Sequence, residues 1–336
     1  MRQGFESPWG YQTGPCIAGS FFLRERQAAP AARAPRWRAP GRPGGIIYKK
    51  QEGSYLELWF REVENKDTFI GFRVNSVLHR ERSKYQDIAI LDTPTFGRML
   101  VLDGIVQTTV EDEFFYHEMI AHVPLFAHPN PRRVLVIGGG DGGTVREVLK
   151  HDTVEHVDLV EIDGRVIELC KQYLPELSHG LDDPRVTIKV TDGLEYVKTV
   201  RGQYDVVIVD SSDPLGPAVG LFTEAFYRDV AGALKDDGVM VAQTESPWLT
   251  PEVVRDVVKA IGNAFDGHAY LFLTSVPIYS LGQWSFTMGT KGIDPRTPRI
   301  PLDEMPPIET RYYTPEIHAA AFALPRFTRE LLGLKA

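Results

Sequence analysis

Residues 133–143 read RVLVIGGGDGG, an apolar run that passes directly into a loop of five glycines and one aspartate. Runs of branched apolar residues are typical of strands that are buried on both faces of a parallel sheet. Glycines after such a strand let the backbone approach a ligand and present amide groups at the start of the next helix. The stretch therefore predicts a strand, a ligand-binding loop and a helix.

The alternation of apolar runs and helical segments continues along the chain after this stretch. Strands are predicted at residues 133–137, 157–161, 186–190, 204–209, 239–243, 270–274 and 285–289. Helical segments fall between most of these strands, which is the pattern of a doubly wound, Rossmann-like α/β sheet. Only a short link containing a proline separates the last two strands, so we expect an antiparallel pair at one edge.

The residues upstream of this sheet have a different pattern. Residues 51–110 contain short strand-like runs separated by turn signals such as Asp92-Thr93-Pro94 and Asp103-Gly104, and they predict a small antiparallel β domain. The predicted catalytic domain, residues 111–336, then opens with a helix at 111–123 that is acidic in its first turn. Pro124 is expected to kink or end this helix.

The first 50 residues are rich in proline, alanine and arginine and predict a disordered basic extension without function, upstream of the true start. They carry nine Lys or Arg and two acids, a net charge of +7, so the rest of a chain of net charge −8 carries −15. An acidic body argues against nucleic acid as a partner and suits small cations.

No apolar run is long enough to predict a membrane span, and the two cysteines are too few for a disulfide framework. Together these features favour a reducing, cytoplasmic setting.

Acidic residues follow three neighbouring predicted strands, at the edge where ligands bind in such sheets. Asp141 lies in the glycine loop, Glu161 ends the second strand and Asp192 follows the third. An acid placed like Glu161 accepts hydrogen bonds from ribose hydroxyls, and Asp192 is placed to meet an adenine amino group. These positions predict a nucleoside site of the kind that dinucleotide and adenosyl-sulfonium enzymes share.

The charge of Asp141 favours a sulfonium ligand over a dinucleotide. A diphosphate needs amides and a positive dipole, whereas a cationic sulfonium tolerates a carboxylate in the loop. Decarboxylated S-adenosylmethionine would present only an amine to Asp141, while S-adenosylmethionine itself also carries a carboxylate that Asp141 would repel. Because methyltransferase loops often contain an acid as well, the sequence leaves both donors open.

Residues 204–209 run into the loop DSSDPLGP at 210–217, which places Asp210 and Asp213 beyond the end of another buried strand. Its two prolines stiffen the loop. On this loop alone, an acidic turn without function and the anionic wall of a ligand site are equally compatible.

The two histidines of α-helical sequence near residue 120 do not predict a metal site. His117 and His122 are five residues apart, about 140° around a helix, whereas zinc helices place histidines four apart on one face. We expect His122 to be a packed or surface residue, and we expect no metal. Trp248 and Trp284 are expected in the core rather than in a pocket.

Over residues 59–332 the chain resembles the spermidine synthases, which are polyamine aminopropyltransferases that use decarboxylated S-adenosylmethionine. The resemblance rests, in chain order, on Tyr85-Gln86-Asp87, Leu102-Asp103-Gly104, Asp112-Glu113-Phe114, Tyr116-His117-Glu118-Met119, residues 138–143, Glu161-Ile162-Asp163, Asp192-Gly193, residues 210–217, Gln243-Thr244-Glu245, Tyr279, Tyr312-Tyr313 and His318.

The resemblance implies a role for each matched position. Asp210 is implied as the general base, and Asp213 is implied to bind the acceptor amine together with Tyr116, His117 and Tyr279. The positions implied to bind the donor are Gln86, His117, Asp141, Glu161, Asp192, Gly193 and Pro217. The donor is then a co-substrate, and no cofactor is expected.

The family fold is a β-rich N-terminal domain before a Rossmann-like domain similar to that of S-adenosylmethionine-dependent methyltransferases, and it assembles as homodimers or homotetramers. The predicted reaction is aminopropyl transfer to putrescine, which gives spermidine and 5′-methylthioadenosine. Agmatine, cadaverine or spermidine as acceptor, a methyltransferase, and an inactive binding module remain the alternatives.

One departure concerns substrate choice. Family members often have Tyr-Pro-Ser-Gly where this chain has Tyr279-Ser280-Leu281-Gly282, and the change is expected to reshape the wall of the amine pocket.

Overall fold

The structure, a computed structural model, describes residues 22–24, 57–64, 67–298 and 308–335, and its N-terminal strands form two antiparallel sheets. The first sheet contains β1 (Phe22–Arg24), β2 (Glu57–Val63) and β3 (Phe69–Val74), and the second contains β4 (Ser76–Arg82), β5 (Asp87–Thr93), β6 (Gly97–Leu102) and β7 (Ile105–Thr109). These strands confirm the predicted β region. Of the predicted basic extension, only β1 lies within the described residues.

Helix α1 (Phe114–Ala127) follows the β region and differs from its prediction at both ends. The acids expected in its first turn lie in the turn before it, where the Asp112 carboxylate accepts hydrogen bonds from the Thr109 hydroxyl at 2.5 Å and the Ile278 amide at 2.8 Å. Pro124 does not end the helix, because the His128 amide still reaches the Pro124 carbonyl at 3.1 Å. Nearly all side chains of α1 are buried, and this packing outweighs the missing proline donor.

The central sheet has seven strands among the described residues, in the order β10-β9-β8-β11-β12-β14-β13. The strands are β8 (Arg133–Gly138), β9 (His156–Glu161), β10 (Val186–Val190), β11 (Tyr204–Asp210), β12 (Leu234–Gln243), β13 (Ala269–Ser275) and β14 (Gln283–Thr290). β8 to β12 pair in parallel, whereas β14 pairs antiparallel with both β12 and β13. The predicted strands and the predicted antiparallel edge are confirmed.

Helices lie between most of these strands, and two more follow the last strand. They are α2 (Gly143–Leu149), α3 (Gly164–Tyr173), α4 (Pro175–Ser178), α5 (Gly193–Thr199), α6 (Glu224–Ala233), α7 (Pro251–Ala264), α8 (Pro315–Ala321) and α9 (Arg326–Leu331). Every residue of β11 is buried, as expected for a strand with neighbours on both sides and helices on both faces. Within the described ranges, we find no helix of the length and apolar character that a membrane crossing needs.

The C-terminal segment anchors the part of α1 that carries Tyr116 and His117. The next residue, Glu118, is buried, and its carboxylate accepts backbone hydrogen bonds from Arg311, Tyr312 and Tyr313 at 2.7, 2.8 and 2.7 Å. A carboxylate that accepts several amides is held firmly. The first turns of α1 therefore have a fixed position relative to the sheet.

Candidate active site

Two adjoining cavities open at the carboxyl ends of the parallel strands, where ligands bind in open α/β sheets. The larger cavity, of about 140 Å³, lies between the ends of β8, β9 and β11 and the start of α1. The smaller cavity, of about 70 Å³, lies between β2, the loop after β11, the end of β12 and the loop between β13 and β14. Both are lined by Gln107, Tyr116, Ser211, Ser212 and Tyr279, which form their junction.

The structure brings most of the predicted site residues to these two cavities. The larger cavity is lined by Gln86, His117, Asp141, Glu161, Asp192, Gly193 and Asp210, and the smaller cavity by Asp213. His117, predicted for both substrates, lines only the larger one. Pro217 lies in the 3₁₀ helix Gly216–Phe222, and its side chain lies outside what the structure describes.

Asp210 is the last residue of β11, and hydroxyl groups hold both of its oxygens. Tyr116 donates to Oδ1 at 2.8 Å, and Thr144 of α2 donates to Oδ2 at 2.7 Å. Burial, followed by the nearby Asp141 carboxylate, raises the pKa of Asp210. Gly139 has a φ of +66°, and a β-carbon there would lie 2.7 Å from Asp210 Oδ2, so this position requires glycine.

His117 is placed between two carboxylates. Its Nδ1 lies 2.6 Å from Glu113 Oε2, and its Nε2 lies 3.3 Å from Asp141 Oδ1. Because both ring nitrogens face acceptors, the ring is an imidazolium that donates from each nitrogen. Burial opposes this charge, but Asp141 and Glu113 raise the pKa of His117 well above its usual value. Arg146 in turn donates to both oxygens of Glu113, at 2.9 and 2.8 Å.

The predicted nucleoside-binding acids differ in their surroundings. Asp141 Oδ1 accepts from the Gly143 amide at 2.7 Å, and although burial opposes its ionisation, His117 lowers the pKa of Asp141. Burial raises the pKa of Glu161 to about 7. Asp192 caps α5 by accepting from the Leu194 amide at 2.8 Å. Asp141 is therefore a fixed anion, whereas Glu161 titrates near neutral pH.

Hydrogen bonds join the N-terminal strands to the central sheet beside the larger cavity. Asp163, the N-cap residue of α3, accepts from Gln86 Nε2 at 3.0 Å and from Ser83 Oγ at 2.6 Å. Asp163 is thus occupied within the protein, which leaves Glu161 as the acid of this strand end that lines the cavity. With its amide nitrogen bound to Asp163, Gln86 is fixed at the cavity wall.

The smaller cavity is lined by four acids, Glu62, Glu64, Asp213 and Glu245. Burial raises the pKa of Asp213 to about 6, and burial together with Asp213 raises the pKa of Glu245 well above its usual value. Two carboxyls that approach each other in a buried site share a proton. Among the described residues that line this cavity, no lysine or arginine balances the four acids.

Aromatic rings form the walls near the junction. Tyr116 and Tyr279 meet edge to face with ring centroids 6.1 Å apart. The ring centroids of Tyr279 and Trp284 are 4.6 Å apart. Trp284 lines the smaller cavity, and Trp248 is 65 % exposed beside Phe327. The prediction that both tryptophans belong to the core is wrong for Trp248, which is exposed. Trp284, in β14, packs against the core and also lines the smaller cavity.

The comparisons with known proteins agree with this geometry. Residues 113–297 match the family model of the spermine/spermidine synthase domain, and residues 58–110 match that of the spermidine synthase tetramerisation domain. The chain belongs to the spermine/spermidine synthase family. The predicted family is confirmed, and members of this family are aminopropyltransferases, as this enzyme is.

Individual relatives cover most of this chain. A polyamine aminopropyltransferase of Moorella thermoacetica is 54 % identical over 275 residues, 82 % of this chain and 96 % of that protein. One of Bacillus cytotoxicus is 50 % identical over 277 residues, 82 % of this chain and all of that protein.

Solved structures of the family have the same fold. A spermidine synthase in complex with the transition-state analogue AdoDATO superposes with a TM-score of 0.79 at 42 % identity, covering 86 % of this chain and 99 % of that one. The spermidine synthase of Thermotoga maritima superposes with a TM-score of 0.77 at 42 % identity. This match covers 86 % of this chain and 98 % of that one.

Four residues of this synthase site were not predicted from the sequence. Thr144 follows the glycine loop, and the sequence does not indicate which group its hydroxyl would contact. Glu245 follows β12, and its local sequence does not distinguish it from the acids of the protein surface. Glu62 and Glu64 belong to the N-terminal sheet, and only its packing against the catalytic sheet brings them to the smaller cavity. The Gln243-Thr244-Glu245 motif was the one available signal, and it pointed to Glu245.

One group of described residues has the spacing of metal ligands, and it lies away from both cavities. His128, Asp205 and Asp237 place ligand atoms within 4.8 Å of one another. Lys235 already neutralises Asp205 at 2.7 Å, and His128 Nδ1 accepts from the Asn130 amide at 3.2 Å. The other ring nitrogen of His128 therefore carries the hydrogen, so this group is poorly suited to a metal.

His122 is a packed residue. It is fully buried, with hydrogen bonds to His151 at 2.9 Å and to Glu147 at 3.0 Å.

Proposed function

We propose that the enzyme transfers the aminopropyl group of decarboxylated S-adenosylmethionine to putrescine, which gives spermidine and 5′-methylthioadenosine. The observation that carries this proposal is the position of Asp210, a buried carboxylate that lines the larger cavity and is bonded to Tyr116 at the junction with the smaller one. A proton acceptor at this junction lies between a nucleoside site and an amine site. The donor is a co-substrate and not a resident cofactor.

The larger cavity suits the nucleoside donor. Glu161 is placed to accept from the ribose hydroxyls, Asp192 to accept from the adenine amino group, and Gln86, Gly193 and Pro217 belong to the same wall by prediction. Asp141 offers a fixed negative charge to the amine of the donor. No lysine or arginine is found among the described residues that line this cavity, and the imidazolium of His117 already faces Glu113 and Asp141. The described lining therefore offers no unpaired cation to the carboxylate of intact S-adenosylmethionine.

The smaller cavity suits the acceptor. Diamines are dications at neutral pH, and an acidic cavity without protein cations attracts them. Asp213 is placed to bind the non-reacting ammonium, while Tyr116 and Tyr279 line the junction with the larger cavity. His117 lines the larger cavity and not the smaller one, so its part in this proposal is to face and fix Asp141 beside the donor.

The reaction requires a neutral amine at the reacting end. Asp210 takes one proton from this ammonium, directly or through a water molecule, and the freed lone pair attacks the methylene carbon next to the sulfonium. The carbon–sulfur bond breaks with its electron pair going to sulfur, so the leaving group is a neutral thioether and needs no acid. General base catalysis of this kind contributes about 10²–10⁴-fold, and alignment of the two reactants supplies much of the rest.

The test is to incubate the purified enzyme with decarboxylated S-adenosylmethionine and, separately, putrescine, cadaverine, agmatine or spermidine. Release of 5′-methylthioadenosine and the mass of the product are measured. The proposal expects putrescine to have the highest kcat/KM. A higher value for another amine would replace putrescine as the acceptor, and methyl transfer from intact S-adenosylmethionine would replace the reaction. The absence of turnover with every amine would leave only a binding module.

The assembly and location are part of the same proposal. We expect a homodimer or homotetramer, supported by the match of residues 58–110 to a tetramerisation domain. Sedimentation of the full chain checks this expectation. A cytoplasmic location remains a prediction from the sequence.

A further inference from the structure

Ser280 lies in the loop between β13 and β14 and lines the smaller cavity. It is only 8 % exposed, and its Oγ has no hydrogen-bond partner among the residues that the structure describes. Buried hydroxyl groups are normally hydrogen-bonded. An unpaired hydroxyl in a cavity wall therefore indicates that something inside the cavity completes its hydrogen bonds.

Two other atoms of the same cavity wall are in the same condition. Ser211 Oγ and Trp284 Nε1 are buried without a partner in the described part of the chain. The indole N–H can only donate, so it calls for a water molecule or a neutral nitrogen. The serine hydroxyls also accept, so they suit an ammonium group or a water that solvates one. The three atoms together indicate a polar ligand in this cavity.

The position of Ser280 determines which nitrogen of the acceptor amine it would contact. Asp210, the proposed base, lines the larger cavity, whereas Ser280 and Asp213 line only the smaller one. The reacting nitrogen of the acceptor must approach Asp210 through the junction at Tyr116 and Tyr279. The other nitrogen then remains in the smaller cavity, beside Asp213 and Ser280.

The backbone of the loop does not itself require serine at this position. The turn is made by Leu281 and Gly282, with φ values of +61° and +72°. Val276 donates to the Gly282 carbonyl at 2.7 Å, and Gly282 donates to Tyr279 at 2.9 Å, which closes the loop without the Ser280 side chain. Proline, often found here in the family, has no hydroxyl. The side chain of Ser280 is therefore free to serve binding.

We propose that Ser280 is a specificity-determining residue whose hydroxyl accepts a hydrogen bond from the non-reacting nitrogen of the acceptor amine. This inference rests on the proposed function. It assigns the departure from the family pattern to recognition of the second nitrogen of the substrate. Asp213 supplies negative charge to the same nitrogen, and Ser280 adds a directional contact.

The test measures how the variants Ser280→Ala and Ser280→Pro respond to putrescine and to n-butylamine. Both variants lose the hydroxyl, so the KM for putrescine should rise on the order of tenfold, as expected for loss of a hydrogen bond to a charged group. The kcat and the KM for the donor should stay within twofold. n-Butylamine, which lacks the second nitrogen, should inhibit the variants and the unaltered enzyme with the same Ki.

Leu281→Ala is the matched control, because Leu281 lies next to Ser280 in the same loop and its side chain is 70 % exposed. Its kinetic constants should equal those of the unaltered enzyme. A putrescine KM unchanged in both Ser280 variants would overturn this inference and leave the proposed function intact. An equal loss of n-butylamine affinity would also overturn it, since the cavity as a whole would then have changed. No turnover by the unaltered enzyme with any amine would overturn both proposals.

Discussion

The two cavities of the active site balance their carboxylates in different ways. In the larger cavity, protein groups satisfy the acids: the imidazolium of His117 faces Asp141 at 3.3 Å, and two hydroxyls bind Asp210. In the smaller cavity, Asp213 and Glu245 lie beside each other and share a proton, and no lysine or arginine among the described lining residues offsets the charge that remains. The larger cavity is thus organised before a ligand arrives, whereas the smaller one keeps a negative potential for an incoming polycation.

The difference between the two cavities indicates how each would recognise its substrate. A nucleoside has a fixed shape and fixed hydrogen-bonding groups, which a preorganised site recognises well. Aliphatic diamines differ mainly in the distance between two positive charges. A cluster of acids with shared protons adapts its charge to such ligands, and directional contacts such as that proposed for Ser280 then discriminate among them.

The largest expected effect concerns the junction of the cavities. Asp210→Asn should lower kcat by about 10²–10⁴-fold, because the amide cannot take the proton from the amine. Binding of 5′-methylthioadenosine, measured by calorimetry, should be nearly unchanged, since the nucleoside contacts lie elsewhere. Turnover near that of the unaltered enzyme would show that another group accepts the proton.

The next effect belongs to the smaller cavity alone. Asp213→Asn should raise the KM for putrescine about 10–100-fold, because hydrogen bonds to charged groups contribute about 1.5–3 kcal/mol. The donor KM should not change. Asp236→Asn, which removes an exposed acid of β12, is the matched control and should leave both constants unaltered. An unchanged putrescine KM in Asp213→Asn would remove this residue from the amine site.

A smaller effect distinguishes the larger cavity by its pH dependence. Because burial raises the pKa of Glu161 to about 7, the carboxylate that we propose to accept from ribose becomes protonated as the pH falls below that value. The Kd for 5′-methylthioadenosine should therefore rise by up to about tenfold per pH unit between pH 7 and 5. Glu161→Gln should bind weakly with little pH dependence over this range. A flat profile for the unaltered enzyme would contradict the role of Glu161.

The smallest effect concerns stability. The pKa of Glu245 is raised by burial and by Asp213, so its contribution to stability is full below the pKa of the unfolded state and is lost as the pH rises through the folded-state pKa. Glu245→Gln imitates the protonated form, so its melting temperature relative to the unaltered enzyme should be higher at pH 8 than at pH 5. Glu155→Gln, at an exposed ion pair, should show no such trend. An equal difference at both pH values would mean that Glu245 is ionised in the folded state.

The sequence indicated that the acids of the larger cavity would lie together, but it did not indicate all the acids of the smaller one, for a geometric reason. The carboxyl ends of neighbouring parallel strands must meet at one edge, so Asp141, Glu161 and Asp192 could be placed together from their positions in the chain. No such rule connects β2 with the end of β12. Glu62 and Glu245 were therefore missed, although both line one cavity. Helix α1 ends later than predicted because its burial outweighs the effect of Pro124.

The sequence alone predicted the central sheet and the acids at the strand ends, because hydrophobic periodicity and local glycine chemistry act over a few residues. The family followed from the resemblance of its motifs. The tertiary structure alone decided the partners and charges of those acids. Tyr116 reaches Asp210 across 94 residues of chain, and Thr144 reaches it across 66. Burial also set the pKa values of Glu161 and Asp213, and burial arises only when distant segments pack together.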